Sequence, residues 1–288
     1  MECSTLTTAF IAISDPHINS TVGICVPGLY LDDGNPIRLN RTQSWLWRSF
    51  KEFCQEVASL NAQRKILYLG GDLGELDTKR RSVQLFTANK AVIEKMINCT
   101  LEPLYEIVDS VIVIRGTPAH EGKGCWIEES FANNLDHTIR DLREIHDTEN
   151  GKKPGRGSWY HLRSVIGGVK LDLAHHASMT RSPWGRGNSA NLIAKKITWN
   201  YMVSMQQPPP NLALRGHNHV VAESSGFPVK VQYLPAWTTA TEYSYRAGYE
   251  NTPADVGGIV YLLEDGAFNK FEYLFKPIES RQVWAMKI

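Results

Sequence analysis

The sequence predicts an α/β fold in which two packed sheets and flanking helices form a single domain over residues 1–288. Three observations carry that expectation. Short apolar runs of strand length recur along the chain and end abruptly in polar, Gly-rich or His-rich sequence. Stretches with helical spacing separate the first of these runs. Beyond the midpoint, short strands and turns replace the helices, with no linker long or polar enough to mark a domain boundary.

The runs AFIAIS (Ala9 to Ser14), KILYLG (Lys65 to Gly70), SVIVIRG (Ser110 to Gly116), KLDLAH (Lys170 to His175) and NLALRGH (Asn211 to His217) have the length and Ile/Val/Leu content of buried strands. Trp45, Phe50, Phe53, Val57 and Leu60 fit one helical face, and Leu85, Ala88, Val92, Met96 and Leu104 fit another. Strand alternating with helix argues for parallel pairing in the first half. SWYHLRSVIGGVKLDLAHH reads as two strands joined at Gly167-Gly168. After Pro208-Pro209-Pro210 come VVAES, VKVQYLP, GGIVYLLED and FNKFEYLFKP, the last two joined by a hairpin at Asp265-Gly266.

The composition is that of an ordinary globular protein, with 42% hydrophobic residues, 21% charged residues and a formal net charge of +1. That balance gives no electrostatic case for nucleic acid or an anionic membrane as an obligatory partner. No stretch approaches the roughly 20 apolar residues of a membrane span. The N-terminal MECSTLTTAFIAIS lacks the basic region and cleavage site of a signal peptide and reads as the first strand. The five cysteines are scattered without C-x-x-C spacing, which points to a reducing cytoplasm. The sequons at Asn19, Asn40 and Asn98 are then chance matches.

Chemistry collects at the strand ends. The first run leads into Asp15-Pro16-His17, the second into Gly71-Asp72 and the third into Gly116-Thr117-Pro118-Ala119-His120. The fourth ends in His175-His176 and the fifth in Gly216-His217-Asn218-His219. In open α/β sheets, loops at the carboxyl ends of strands project side chains into a common crevice. Imidazoles and carboxylates without cysteine suit divalent ions such as manganese, iron or zinc. Asp72 has two carboxylate oxygens with which to bridge two such ions, and a two-ion site activates water for displacement at phosphorus. A lone D-x-H reads as chance, and a lone strand-end histidine as a structural residue. The ordered combination favours metal.

The ordered set Asp15-x-His17, Gly71-Asp72, His175, Gly216-His217-x-His219 resembles the calcineurin-like metallophosphoesterase family. The resemblance implies a four-layer fold, a sandwich of two mixed sheets flanked by helices. It also implies a pair of divalent metal ions, manganese first with iron, zinc or nickel as alternatives. Asp15, His17, Asp72 and His219 would hold one ion, and Asp72, His175 and His217 the second. Where the family carries G-N-H and an acidic residue, this chain has Gly116-Thr117-Pro118-Ala119-His120-Glu121. That variant, with the later Pro235-Ala236-Trp237, is similar to members encoded by phages and prophages. Either Thr117 offers a hydroxyl or carbonyl to the second metal while His120 serves as general acid, or His120 ligates that metal itself; the first is favoured. Of the doubled histidines, His175 is placed ahead of His176 as the ligand, and Glu75 is expected to orient a ligand rather than bind metal.

Arg181-Ser182-Pro183-Trp184-Gly185-Arg186-Gly187-Asn188 is the candidate substrate contact, with Arg181 and Arg186 clamping phosphate and the tryptophan stacking a base. Asp32-Asp33-Gly34-Asn35 reads as a turn, Lys152 to Arg156 as a hairpin tip, and Trp237, Tyr243, Tyr245 and Tyr249 as packing. The resulting expectation is a two-metal hydrolase of phosphate esters acting through a metal-bridged hydroxide, with His120 assisting the leaving group. It leans to a phosphodiesterase or nuclease acting on a phosphate ester such as a nucleotide or nucleic acid. A phosphomonoesterase, or a catalytically weakened metal-binding scaffold on the same fold, is the alternative.

Overall fold

The first strand, β1 (Thr8–Ile13), is buried along its whole length, and its alternation divides it between two cores. Ala9, Ile11 and Ile13 face one hydrophobic cluster, while Phe10 and Ala12 face another. β2 (Arg64–Leu69) and β3 (Ser110–Ile114) divide in the same way, which is why all three read as continuous apolar runs. A computed structural model describes residues 7–76, 84–122, 124–141, 155–178, 185–240 and 254–276.

Two mixed sheets result. The first has the order β11-β10-β1-β2-β3-β4, with β4 at Ser158–Trp159, β10 at Val256–Glu264 and β11 at Ala267–Phe275. β1 to β4 run parallel, and β10 pairs antiparallel with both β1 and β11. The second has the order β5-β6-β7-β9-β8, from β5 (His161–Ile166), β6 (Val169–Ala174), β7 (Leu212–Arg215), β8 (Ala222–Glu223) and β9 (Lys230–Tyr233). β6, β7 and β9 are parallel, with β5 and β8 antiparallel at the edges.

The sheets pack face to face through Phe10, Tyr68 and Ile112 on one side and Leu171, Leu173 and Leu214 on the other. Over the outer face of the first sheet lie α1 (Arg41–Ser59), α2 (Lys90–Tyr105) and α4 (Trp126–Asn134), burying Phe50, Phe53, Met96, Leu101 and Phe131. Over the second lies α5 (Arg186–Trp199), which packs Ala190, Ala194 and Ile197 against Ala213, Val231 and Tyr233. The layers are therefore helix, sheet, sheet, helix, the expected sandwich of two mixed sheets flanked by helices.

Local differences have local causes. The second helix starts at Lys90 rather than near Leu85, because the Asn89 side chain accepts from the Ala91 amide at 3.0 Å. Asn40 caps α1 through a capping box with Gln43. Ser158–Trp159 leaves the expected hairpin to pair with β3, so only β5 and β6 meet at Gly167-Gly168. The span after Gly185, read as a loop, opens α5, whose buried positions are mostly Ser and Ala and leave little apolar periodicity to read. The hairpin at Asp265-Gly266 and the Asp33–Asn35 turn form as expected, the latter with the Asn35 amide on Asp33 Oδ1 at 2.9 Å. Lys152, Lys153, Pro154, Tyr243, Tyr245 and Tyr249 lie outside the described residues. No helix among the described residues is long and apolar enough to cross a membrane.

Candidate metal centre

The ladder between β1 and β2 continues past the strand ends, with the Asp15 amide donating to Gly71 O at 3.1 Å and the His17 amide to Asp72 O at 3.2 Å. Here the backbone departs from ordinary L-residue geometry. Asp15 (φ 52°), His17 (44°), Asp72 (51°), His217 (72°) and His219 (55°) all adopt left-handed values. Each non-glycine residue held there costs about 1–2 kcal/mol, and such residues gather where function constrains the chain. The turns aim these side chains into one crevice at the carboxyl ends of β1, β2, β6 and β7. Close approach is secured by glycine: a Cβ on Gly116 would collide with Asp72, and one on Gly216 with Ser14 and Asp15.

Six of the sequence-predicted residues meet there in two sets. Asp15, His17 and His219 form one, and Asp72, His175 and His217 the other, each with its ligand atoms within 4.8 Å of one another. His175 Nε2 stands 3.1 Å from Asp72 Oδ2 and 3.9 Å from Asp15 Oδ1, so the sets adjoin. Asp15 Oδ2 accepts from Ser14 Oγ at 2.5 Å and from the His217 amide at 2.9 Å. Its Oδ1 is buried with no hydrogen-bond partner, yet the Nε2 atoms of His219, His17 and His175 surround it at 3.3, 3.9 and 3.9 Å.

That orphaned oxygen tests the fit to a cation. The His17 Nδ1–H donates to Glu75 Oε2 at 3.0 Å and the His175 Nδ1–H to Gly70 O at 2.6 Å, so both rings aim Nε2 inward. In the neutral tautomers those contacts fix, the inward nitrogens carry lone pairs that face carboxylate oxygens and each other. His17 Nε2 lies 3.1 Å from His219 Nε2. Buried acceptors facing acceptors call for positive charge between them, and the donor set of imidazole and carboxylate suits a divalent ion.

Without metal, protons take that part. Burial would lower the affinity of His175 for a proton, but the carboxylates of Asp72 and Asp15 overcome it and raise the pKa from 6.5 to about 10. Burial would raise Asp15 and Asp72, yet the facing histidines, His175 first, hold both well below the ordinary 3.8. Burial, then the charge on His175, pushes His217 down to about 4. A raised folded-state pKa stabilises below the unfolded value and loses that stabilisation as pH rises through the folded value. Chelator-treated protein should therefore lose thermal stability as pH rises from about 6.5 towards about 10. Melting scans across that interval, compared with His175→Gln, check this: the variant's curve should be flatter.

His120 sits in the single helical turn α3 (Pro118–Glu121) and donates Nδ1–H to Glu75 Oε2 at 2.8 Å, with its ring centroid 4.5 Å from that of His17. It therefore stands beside the first set, not within the second. The Thr117 carbonyl accepts from the His120 and Glu121 amides, while the Thr117 amide and hydroxyl donate to Asp72 at 2.5 and 3.2 Å. Thr117 thus orients Asp72, and its carbonyl is occupied by the helix. Glu75 is the carboxylate that pairs with His120. Glu121, the neighbour expected in that pairing, turns away to accept from the Leu73 amide at 3.0 Å.

Sequence reasoning missed the support below this loop. Glu128 Oε1 accepts from the Gly116 amide at 3.2 Å and the Leu73 amide at 3.4 Å, holding together the two loops that present Asp72. Its full burial, then the charge on Asp72, raises its pKa to about 8. Nothing in WIEES distinguishes this glutamate from one on a solvated helix face.

Arg181 lies outside the described residues. Arg186 opens α5 and places Nη1 3.7 Å from Asp255 Oδ2. His176 is exposed, its ring centroid 5.5 Å from that of His175 and 4.8 Å from that of His217.

No family model matches the sequence, and no curated relative does. Among solved structures, an archaeal phosphodiesterase is similar at TM-score 0.42 and 12% identity over 93% of this chain and 99% of its own. Yfce, a phosphoesterase from E. coli, is similar at TM-score 0.39 and 15% identity over 92% and 98%. Vacuolar protein sorting 29 from Cryptosporidium parvum is similar at TM-score 0.38 and 15% identity over 94% and 100%. At this level of similarity none of them assigns a residue or an activity to this chain.

Proposed function

We propose that this chain hydrolyses phosphate esters with two divalent cations, and that its preferred substrates are phosphodiesters. The observation that carries the reading is the pair of adjoining carboxylate–imidazole sets built on left-handed strand-end residues, with a buried carboxylate oxygen that lacks a partner. Asp15, His17, Asp72 and His219 would hold one ion and Asp72, His175 and His217 the other, with manganese the first choice. Such ions, when bound, lower the pKa of a water and offset the charge of a phosphoryl group.

The chain's own contribution is orientation and proton transfer. Glu75 accepts Nδ1–H from both His17 and His120, which orients the two rings and leaves the Nε2 side of each for the site. His17 is only 1% exposed but His120 is 28% exposed, so His120 is the one a substrate oxygen can reach. Burial would lower its affinity for a second proton, but Glu75 and the charge on Asp72 raise it, so as an imidazolium His120 would give its Nε2 proton to the leaving oxygen as general acid and keep the Nδ1–H on Glu75. The Gly70 carbonyl and the Thr117 amide and hydroxyl hold His175 and Asp72 in place. A groove of about 450 Å³ beside His217 and His176 leaves room for a group on the far ester oxygen, which supports the diester preference.

The test is metal content together with turnover of bis-p-nitrophenyl phosphate and p-nitrophenyl phosphate after manganese loading. Two ions per chain and faster turnover of the diester are expected, and His120→Ala should lower turnover about 100-fold with metal content unchanged. Two bound ions with no turnover of either ester would sink the enzyme reading and leave a metal-binding scaffold. A faster monoester would make the chain a phosphatase.

A further inference from the structure

Two adjoining cavities, of about 450 and about 240 Å³, run along one side of α5 and share His176, Ile193 and Lys196 in their walls. The larger opens on His217, at the candidate centre, and the smaller ends on Asp172, Arg163 and Arg215. Asp172 is buried and matched by Arg215, whose Nη2 reaches Oδ1 at 2.5 Å and whose Nη1 donates to the Asp172 and Leu214 carbonyls at 2.9 and 2.8 Å. His161 Nε2 stands 3.0 Å from the other oxygen.

With that carboxylate neutralised one for one, the charges of Arg163 and Lys196 are in excess. Among the described residues, no second carboxylate lines either cavity. Arg163 touches Asp172 only through Nε at 3.5 Å, and its guanidinium lies over the Tyr201 ring, 5.2 Å from the centroid. Stacking fixes the plane of the fork and leaves its terminal amines for a ligand. Lys196 has no ion-pair partner among the described residues. The π-helical turn Asn200–Ser204 follows α5 and contributes Asn200 and Tyr201 to the wall; such widened turns favour functional sites. Surplus cations in a concave wall concentrate an anion, and a guanidinium fork matches phosphate oxygens.

We propose that Arg163 and Lys196 form a subsite for a second phosphate of the substrate, reached from the candidate centre along the α5 groove past His176. The proposal rests on the phosphoesterase reading for its first phosphate and narrows the substrate class to esters carrying two phosphates. A nucleic acid strand supplies the second from its neighbouring nucleotide, and a small bisphosphate supplies it as a second ester.

Two measurements test it. Inorganic pyrophosphate is titrated calorimetrically into the full chain without metal, for the wild type and for Arg163→Ala/Lys196→Ala. Binding about 10- to 100-fold weaker in the double variant is expected, the loss of one or two charge-assisted contacts. Equal binding by both proteins, or none by the wild type, overturns the subsite. Lys196→Ala alone, at an exposed position, gives an intermediate loss if the double variant proves unstable. On manganese-loaded protein, 5′-phosphorylated thymidine dinucleotide is compared with its unphosphorylated form, and thymidine 3′,5′-bisphosphate with the 3′-monophosphate. A lower KM for the doubly phosphorylated member, lost in the double variant, supports the subsite and shows whether strand or small molecule is the source. No such preference in the wild type overturns it. If none of the four is turned over, the phosphoesterase reading fails, and the pyrophosphate titration alone decides the subsite.

Discussion

Asp72→Ala should abolish binding at both cation positions and lower turnover of a phosphodiester about 10⁴-fold, the order seen when one member of a cooperating unit is removed. In the proposed two-ion site Asp72, which groups with His175 and His217, would also serve the ion held by Asp15, His17 and His219. Its Oδ2 faces His175 Nε2 at 3.1 Å, and its two oxygens accept from the Thr117 amide and hydroxyl. Removing it leaves a buried Thr117 amide without its acceptor and the histidine cluster without one of the three carboxylates that face it. Metal analysis separates this role from general damage, because a ligand serving one ion would leave the other bound. Asp72→Ala retaining one tightly bound ion would make the site two independent centres, and retention of both would remove Asp72 from the metal chemistry. Circular dichroism confirms that the variant is folded before either result is read.

Trp237→Ala should destabilise the chain by about 3–5 kcal/mol, the range for deleting a large aromatic from a packed core. Trp237 is fully buried, with ring centroids of Phe50, Phe275 and Phe53 at 5.1, 5.7 and 5.8 Å. α1 supplies Phe50 and Phe53, and β11 supplies Phe275, so one side chain joins elements from the two ends of the chain. The segment also supports the candidate centre. The Trp237 amide donates to Asp15 O at 3.2 Å, and its carbonyl accepts from the Ile24 amide at 3.0 Å. Denaturant unfolding should show the loss in midpoint, while Trp237→Phe, which also removes a buried indole N–H without a partner, should cost clearly less. A loss below about 1 kcal/mol for the alanine variant would mean that the core closes over the gap.

Much of this was legible because strand ends in a parallel sheet carry their chemistry in sequence order. Asp15, His17, Asp72, His175, His217 and His219 all fall at the ends of apolar runs, and their ordered combination marked them as candidate ligands where each alone would not have. Glu75 was expected as an orienting group through the family resemblance, and it accepts from both His17 and His120. Glu128 was not, because its partners are the amides of Leu73 and Gly116, both remote in sequence and invisible to any local pattern. The same holds for α5, whose alanine-rich buried face carries no apolar stripe strong enough to read.

The sequence by itself determined the two packed sheets, the order of the candidate ligands and their chemical type, since apolar period and side-chain chemistry are local properties. Only the tertiary structure decided which residues stand together. It set His120 on Glu75 beside His17, buried His175 against Gly70 while leaving His176 exposed, and assigned Thr117 to Asp72. It also brought Arg163 from β5 and Lys196 from α5 to one cavity. Those pairings depend on how loops from different strands converge, and that convergence is fixed by the close approach of Gly116 and Gly216 and by left-handed turns at the ligands. Packing imposes these features, and no local propensity predicts them.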